Sequence, residues 1–202
     1  MRWASRRESQ HIGMSKYASF AELERHEAQD RDFRVIQIDR PESPVAILAP
    51  HGGEIEVGTS EIAELIAGTE HSLFCFEGLK SDGHSRDLHI TSHRFDHPEC
   101  IALAARREVI ISVHGCRGHA QIFVGGLDLI LAERLSHRLA LAGFDAVSDG
   151  HKYPGRHPFN ICNRGLRNKG AQLEITYDLR GPDYRASISW AVRAAITDFT
   201  EE

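Results

Sequence analysis

Two histidines and a small group of acids stand where chemistry can be done. The apolar run VAILAP (45–50) ends in His51, two glycines, and then Glu54 and Glu56. A second run, EVIISV (108–113), ends in His114, and Glu174 lies inside a third segment, AQLEITYDL (171–179). An imidazole at the end of a buried strand is held rigidly yet can face a cleft. Two imidazoles with one carboxylate form the usual ligand set of a catalytic zinc that keeps a fourth position open for water. The chain has 13 histidines, so placement after apolar runs, not residue type, selects these two. Cys75, Cys100, Cys116 and Cys162 make no CxxC pair. They therefore read as free, buried thiols of a reducing compartment, not as a zinc ribbon or redox dithiol.

The elements that must deliver these residues alternate in type. FAELERHEA (20–28) predicts a helix, and RVIQIDR (34–40) alternates as a half-buried strand does. VAILAP reads as a buried strand, and Thr59 or Ser60 is placed to cap a helix through EIAELIAG that stops at Gly68. SLFCFEGL (72–79) and DLHITS (87–92) are strand-like, and Pro98 opens a helix through CIALAARR. EVIISVHG (108–115) is the clearest buried strand. After QIFVGG, apolar residues at Leu127, Ile130, Leu131, Leu135 and Leu139 predict a helix from about 127 to 142 that ends at Gly143. FDAVSD and AQLEITYDLR (171–180) predict strands around a turn-rich loop (150–170), and ISWAVRAAITDF closes as a helix. This alternation predicts an α/β fold of three layers, an open, mixed sheet flanked by helices, with ligands at the carboxyl ends of the strands.

Composition bounds the function. With 202 residues and 41% hydrophobic content, the chain suits a single α/β domain spanning 14–202. A formal charge of −5 argues against a general nucleic-acid footprint. There is no 18-residue apolar run, and the basic N-terminus MRWASRRESQHIGMSKYASF lacks the apolar core of a signal peptide, so a cytoplasmic protein without membrane contact is expected. Because Met14 opens a more ordinary start, residues 1–13 read as a disordered or over-called extension. No coiled-coil heptad or long apolar stripe is present, and a monomer is expected.

Four separated stretches, PHGGEIEVGTSEIA, FCFEGLKSDGHSRDLHITSHRFDHP, VHGCRG and NRGLRNKGAQLEITYDLR, resemble in kind and order the phage and bacterial poly-γ-glutamate hydrolase family. The resemblance runs over residues 32–200. It implies an open fold similar to the zinc carboxypeptidases, one catalytic zinc ion, and hydrolysis of amide bonds to the γ-carboxyl of glutamate, with release on lysis if the protein comes from a phage. Carried over by position, it implies His51, Glu56 and His114 as the zinc ligands. The His-x-x-Glu spacing of zinc carboxypeptidases lands on Glu54 instead, but the family pattern His-Gly-Gly-any-Ile-Glu favours Glu56. Glu174 matches the glutamate that serves as general base and then acid.

The Asn163-Arg164 pair resembles the one with which carboxypeptidases hold a substrate carboxylate, a task suited to a guanidinium fork. Arg117, with Arg156, Arg167 and Lys169, would add positive charge for a polymer carrying a free α-carboxylate on every residue. Glu77 is a candidate to orient a ligand histidine, whereas His89 reads as structural and His93 and His119 as loop residues. Two other functions fit the same residues. One is a zinc amidohydrolase or deacylase for small N-acyl or γ-glutamyl compounds, and the other is a non-catalytic module that binds an acidic polymer.

Overall fold

Runs of β-branched and aromatic residues build one sheet, seen here in a computed structural model that describes residues 15–81 and 83–201. The expected extension at 1–13 lies outside the described residues. The strands are β1 (Phe33–Ile38), β2 (Val45–Gly53), β3 (Ser72–Gly78), β4 (Val109–Cys116), β5 (Gln121–Gly126), β6 (Asp145–Val147) and β7 (Ala171–Thr176). They lie in the order β1-β3-β2-β4-β7-β5-β6. Strands β3, β2, β4 and β7 run parallel to one another, β1 and β5 run antiparallel to β3 and β7, and β6 is parallel to β5. The sheet is mixed, as its alternating connections require.

Helices α2 (Thr59–Ala67), α4 (Leu129–Leu141) and α5 (Pro182–Thr200) cover one face, packing Ile62, Leu135 and Val192 against Val45, Ile111 and Leu173. The other face is covered by the short helices α1 (Phe20–Leu23) and α3 (Pro98–Ala104) and by loops, around Phe74, Phe76, Phe95 and Leu103. The result is three layers. From β2 the chain passes outward to β3 and then returns across β2 to β4, so β2 and β4 flank a topological switch point whose carboxyl ends open as a crevice.

Pleating decides what enters that crevice. Val109, Ile111 and Val113 of β4, and Ala171, Leu173 and Ile175 of β7, pack on the α2–α4–α5 face. Their alternates Ser112, His114, Gln172 and Glu174 therefore share the opposite face. Simple alternation would send His51 toward Val45, Ile47 and Ala49. However, the register of β2 against β3 shifts between Ala49 and Gly52. This irregularity turns His51 over, so that its ring stacks on His89 at 4.0 Å and meets Phe95 edge-on.

Four local expectations differ from the structure. The helix expected over 20–28 is the single turn of α1, because Glu27 is drawn inward to Tyr17, Lys16 and Lys80 and ends it. DLHITS forms no strand, since β1 already occupies the free edge of β3; it follows a 3₁₀ turn (His84–Leu88) as a crossing segment that buries Leu88 and Ile90. Helix α2 is capped by Gly58 at φ 95°, not by a Thr59 or Ser60 side chain. Strand β7 stops at Thr176, and Tyr177–Arg180 turn as a 3₁₀ helix. Among the described residues no helix is long and apolar enough to cross a membrane.

A Cβ on Gly58 would lie 2.6 Å from the Arg180 carbonyl oxygen, and its φ is left-handed. Gly58→Ala should therefore destabilise the fold by about 1–3 kcal/mol. In a chain of this size that lowers the thermal midpoint by several degrees in a circular-dichroism melt. An unchanged midpoint would contradict this packing.

Candidate active site

Three ligand atoms converge at the carboxyl ends of β2 and β4. His51 Nδ1 lies 3.1 Å from His114 Nδ1, and Glu56 Oε2 lies 3.5 Å from the first and 4.0 Å from the second. The turn after β2 makes this possible. Glu54 N–H bonds the Gly78 carbonyl, Ile55 N–H that of Gly52, and Glu56 N–H reaches back to His51 at 2.9 Å. The Glu56 carboxylate then accepts the Gly115 N–H at 2.7 Å. Glu54, at the His-x-x-Glu spacing, is exposed and outside the cluster.

The outer nitrogens explain the orientation of the inner ones. His51 Nε2 lies 2.6 Å from the Ile90 carbonyl, which can only accept, so Nε2 donates there and Nδ1 is the nitrogen turned to the cluster. His114 Nε2 meets Ser112 Oγ at 3.0 Å, leaving its Nδ1 toward the same point. Two ring nitrogens and a carboxylate oxygen thus face one another with their acceptors inward, an arrangement that a cation satisfies. Ligand atoms about 2.0–2.1 Å from a tetrahedral zinc stand about 3.3 Å apart, so the 3.1 and 3.5 Å separations match such an ion and the 4.0 Å one calls for a small inward shift of Glu56.

Electrostatics follow from this crowding. Burial pushes the Glu56 carboxyl up, but the neighbouring His51 and His114 and the Gly115 N–H outweigh it and bring the pKa down to about 2. Burial and then proximity to His51 lower His114 to about 3. The nearby His51, followed by burial, lowers His89 to about 3. Glu174 sits beside His114 in the β4–β7 register, on the same face. Desolvation, and then the charge of Glu56, push its pKa well above the carboxylate range, with Arg180 and Lys152 opposing. Gln172 donates to Glu174 at 3.2 Å and accepts from Asn160 at 2.7 Å, a short ladder that orients the carboxylate.

Other expected residues fall elsewhere. Asn163 does not hold a free amide for substrate: its oxygen accepts from Leu127 and Gly170 N–H, and its nitrogen donates to the Gly155 and His157 carbonyls. It organises the loop before β7 instead. Arg164 is half-buried in that loop, and Arg117 is exposed just beyond β4. Arg167 and Lys169 are turned to Asp128, and Arg156 is exposed 3.8 Å from Asp149. Glu77 pairs with Arg34 and does not orient a ligand histidine. The His93 ring is tilted against that of His157, and the exposed His119 meets Asp178 at 2.9 Å. All four cysteines are free and buried.

Sequence reasoning missed Ser112, Gln172, the Ile90 carbonyl, Lys152 and Arg180. Alternation gives Ser112 and Gln172 away, each two residues before a site residue on the same face. The other three depend on how loops return to the site and leave no local pattern.

A family model described as poly-gamma-glutamate hydrolase matches residues 17–189. The UPF0714 protein YndL of Bacillus subtilis (strain 168) is 41% identical over 167 residues, 81% of this chain, which spans 65% of that relative's length. A bacteriophage poly-gamma-glutamate hydrolase structure is 26% identical over 93% of this chain and 99% of its own, with a TM-score of 0.88. A zinc-free apo structure of YNDL is 35% identical over 94% and 98%, with a TM-score of 0.81. At the level of fold alone, the chain is also similar to metallo-carboxypeptidases.

Glu56→Ala should lose bound zinc and Glu54→Ala should keep it, as read by elemental analysis after dialysis; the reverse result would move the ligand to the His-x-x-Glu position. Ser112→Ala, which frees the outer nitrogen of His114, should weaken zinc affinity at least about tenfold in a chelator competition.

Proposed function

The chain belongs to the poly-gamma-glutamate hydrolase family, and from that premise we propose that it cleaves the γ-glutamyl amide bonds of poly-γ-glutamate using a zinc ion held by His51, Glu56 and His114. The observation that carries this reading is the meeting of two Nδ1 atoms and one carboxylate oxygen beside Glu174, one strand away. A zinc ion held there supplies the Lewis acidity that polarises the scissile carbonyl and acidifies the attacking water.

Glu174 does the proton work. Its carboxylate takes a proton from the water as the oxygen attacks the γ-carbonyl, and returns it to the departing α-amino nitrogen of the next glutamate. Its environment suits a group that must both accept and donate, since burial and Glu56 raise its proton affinity while Arg180 and Lys152 restrain it. Gln172 fixes one of its oxygens and leaves the other for the water. Arg117, at the end of β4, Lys152, whose charge reaches Glu174, and Arg164 supply cations for the α-carboxylates of the polymer. These are local charges on a chain of net −5, so long-range steering of the polymer is not required. We assign the activity to a monomer.

Purified protein incubated with poly-γ-glutamate should shorten the polymer, stop when a chelator is added, and resume with zinc. No shortening in the presence of zinc, with hydrolysis confined to small N-acyl amino acids, would favour a deacylase; zinc-free protein that binds the polymer uncut would favour a binding module. Glu174→Gln should retain zinc while kcat falls by about 10²–10⁴-fold. Retained turnover would remove Glu174 from this role.

A further inference from the structure

Arg180 is a buried cation whose charge reaches Glu174, and its packing gives it a second task. It closes the 3₁₀ turn after β7, is 7% exposed, and makes no direct ion pair among the described residues, although the charges of Glu56 and Glu174 act on it. Burying a guanidinium is costly unless its surroundings repay the lost hydration, and a buried charge without a direct counter-ion calls for a reason. Its Nη1 donates to the Val57 carbonyl at 2.5 Å, one residue after Glu56, while its Nε is buried with no hydrogen-bond partner. The guanidinium also lies against Gly115. A Cβ there would stand 2.5 Å from Cζ and Nη1, so only glycine leaves room for it. Gly115 is the residue whose N–H holds the Glu56 carboxylate.

One side chain therefore touches both supports of Glu56: the backbone that follows it and the strand residue that binds its oxygen. We propose that Arg180 is a positioning residue that clamps the Glu56–Gly58 turn onto the end of β4 and so sets the geometry of the metal ligand. Among the described residues its guanidinium hydrogen-bonds the Val57 carbonyl and neither Glu56 nor Glu174. The inference rests on the reading of His51, Glu56 and His114 as the ligands. A guanidinium suits the place better than an ammonium because its extended fork packs against Gly115 while one nitrogen reaches the Val57 carbonyl. The exposed Tyr177 ring, 5.4 Å from Cζ, covers its outer side.

The test compares zinc affinity, by competition with a chromophoric chelator, in the wild-type chain and in Arg180→Ala, with folding checked by circular dichroism. Arg180→Ala should weaken zinc binding by about 10–100-fold. At saturating zinc, kcat on poly-γ-glutamate should fall while KM stays within twofold, and millimolar methylguanidinium should restore affinity where methylammonium does not. Unchanged zinc affinity in the folded variant would overturn the proposal, as would a rise in KM alone, which would place Arg180 on the substrate. If Arg180→Ala does not fold, Gly115→Ala displaces the guanidinium without removing it and should show the same loss of affinity; wild-type affinity there overturns the proposal. A wild-type chain that binds no zinc would instead refute the reading of the site.

Discussion

The register shift in β2 is the constraint on which the site depends. Pleating alone places His114 and Glu174 on one face of the sheet, with Ser112 and Gln172 beneath them. It would place His51 on the other. The extra residue between Ala49 and Gly52 reverses His51 just where the strand ends, at the switch point between β2 and β4. Without that shift the ring would point into the packed layer of α2 and α5, on the opposite face from His114. A bulge beside a functional residue is a way of re-aiming a side chain without giving up the strand that holds it.

The same arrangement concentrates polar groups where water is scarce. Glu56 and Glu174 stand on either side of His114, which burial and the neighbouring His51 make a poor base. Such a cluster stabilises nothing by itself, since buried ionisable groups repay their desolvation only through good partners. Backbone groups provide part of that repayment: the Ile90 carbonyl for His51 and the Gly115 N–H for Glu56. The rest of the fold is ordinary in comparison, with two apolar cores on either side of the sheet that supply stability while the carboxyl edge carries chemistry.

Much of this was legible in the sequence because it is local. Apolar runs marked the buried strands, and their ends marked His51 and His114. The family resemblance favoured Glu56 over the His-x-x-Glu position at Glu54, and the turn that bonds Glu56 N–H to the His51 carbonyl carries the Glu56 carboxylate to the two imidazoles. What was not legible depends on distant segments. DLHITS has strand composition, but β1 occupies the edge of β3, and the segment crosses over the sheet so that its Ile90 carbonyl holds His51. Asn163 matched a substrate-binding pair by sequence, yet the loop consumed its whole amide. Arg180 carried no pattern, because its importance comes from meeting Val57 and Gly115 across the end of the sheet.

Anomalous diffraction at the zinc edge from crystals grown with zinc tests the assembled site most directly. A single peak bounded by His51 Nδ1, His114 Nδ1 and a Glu56 oxygen, within reach of the Glu174 carboxylate, is the expected result. A peak held by Glu54, or by residues away from the ends of β2 and β4, would contradict it.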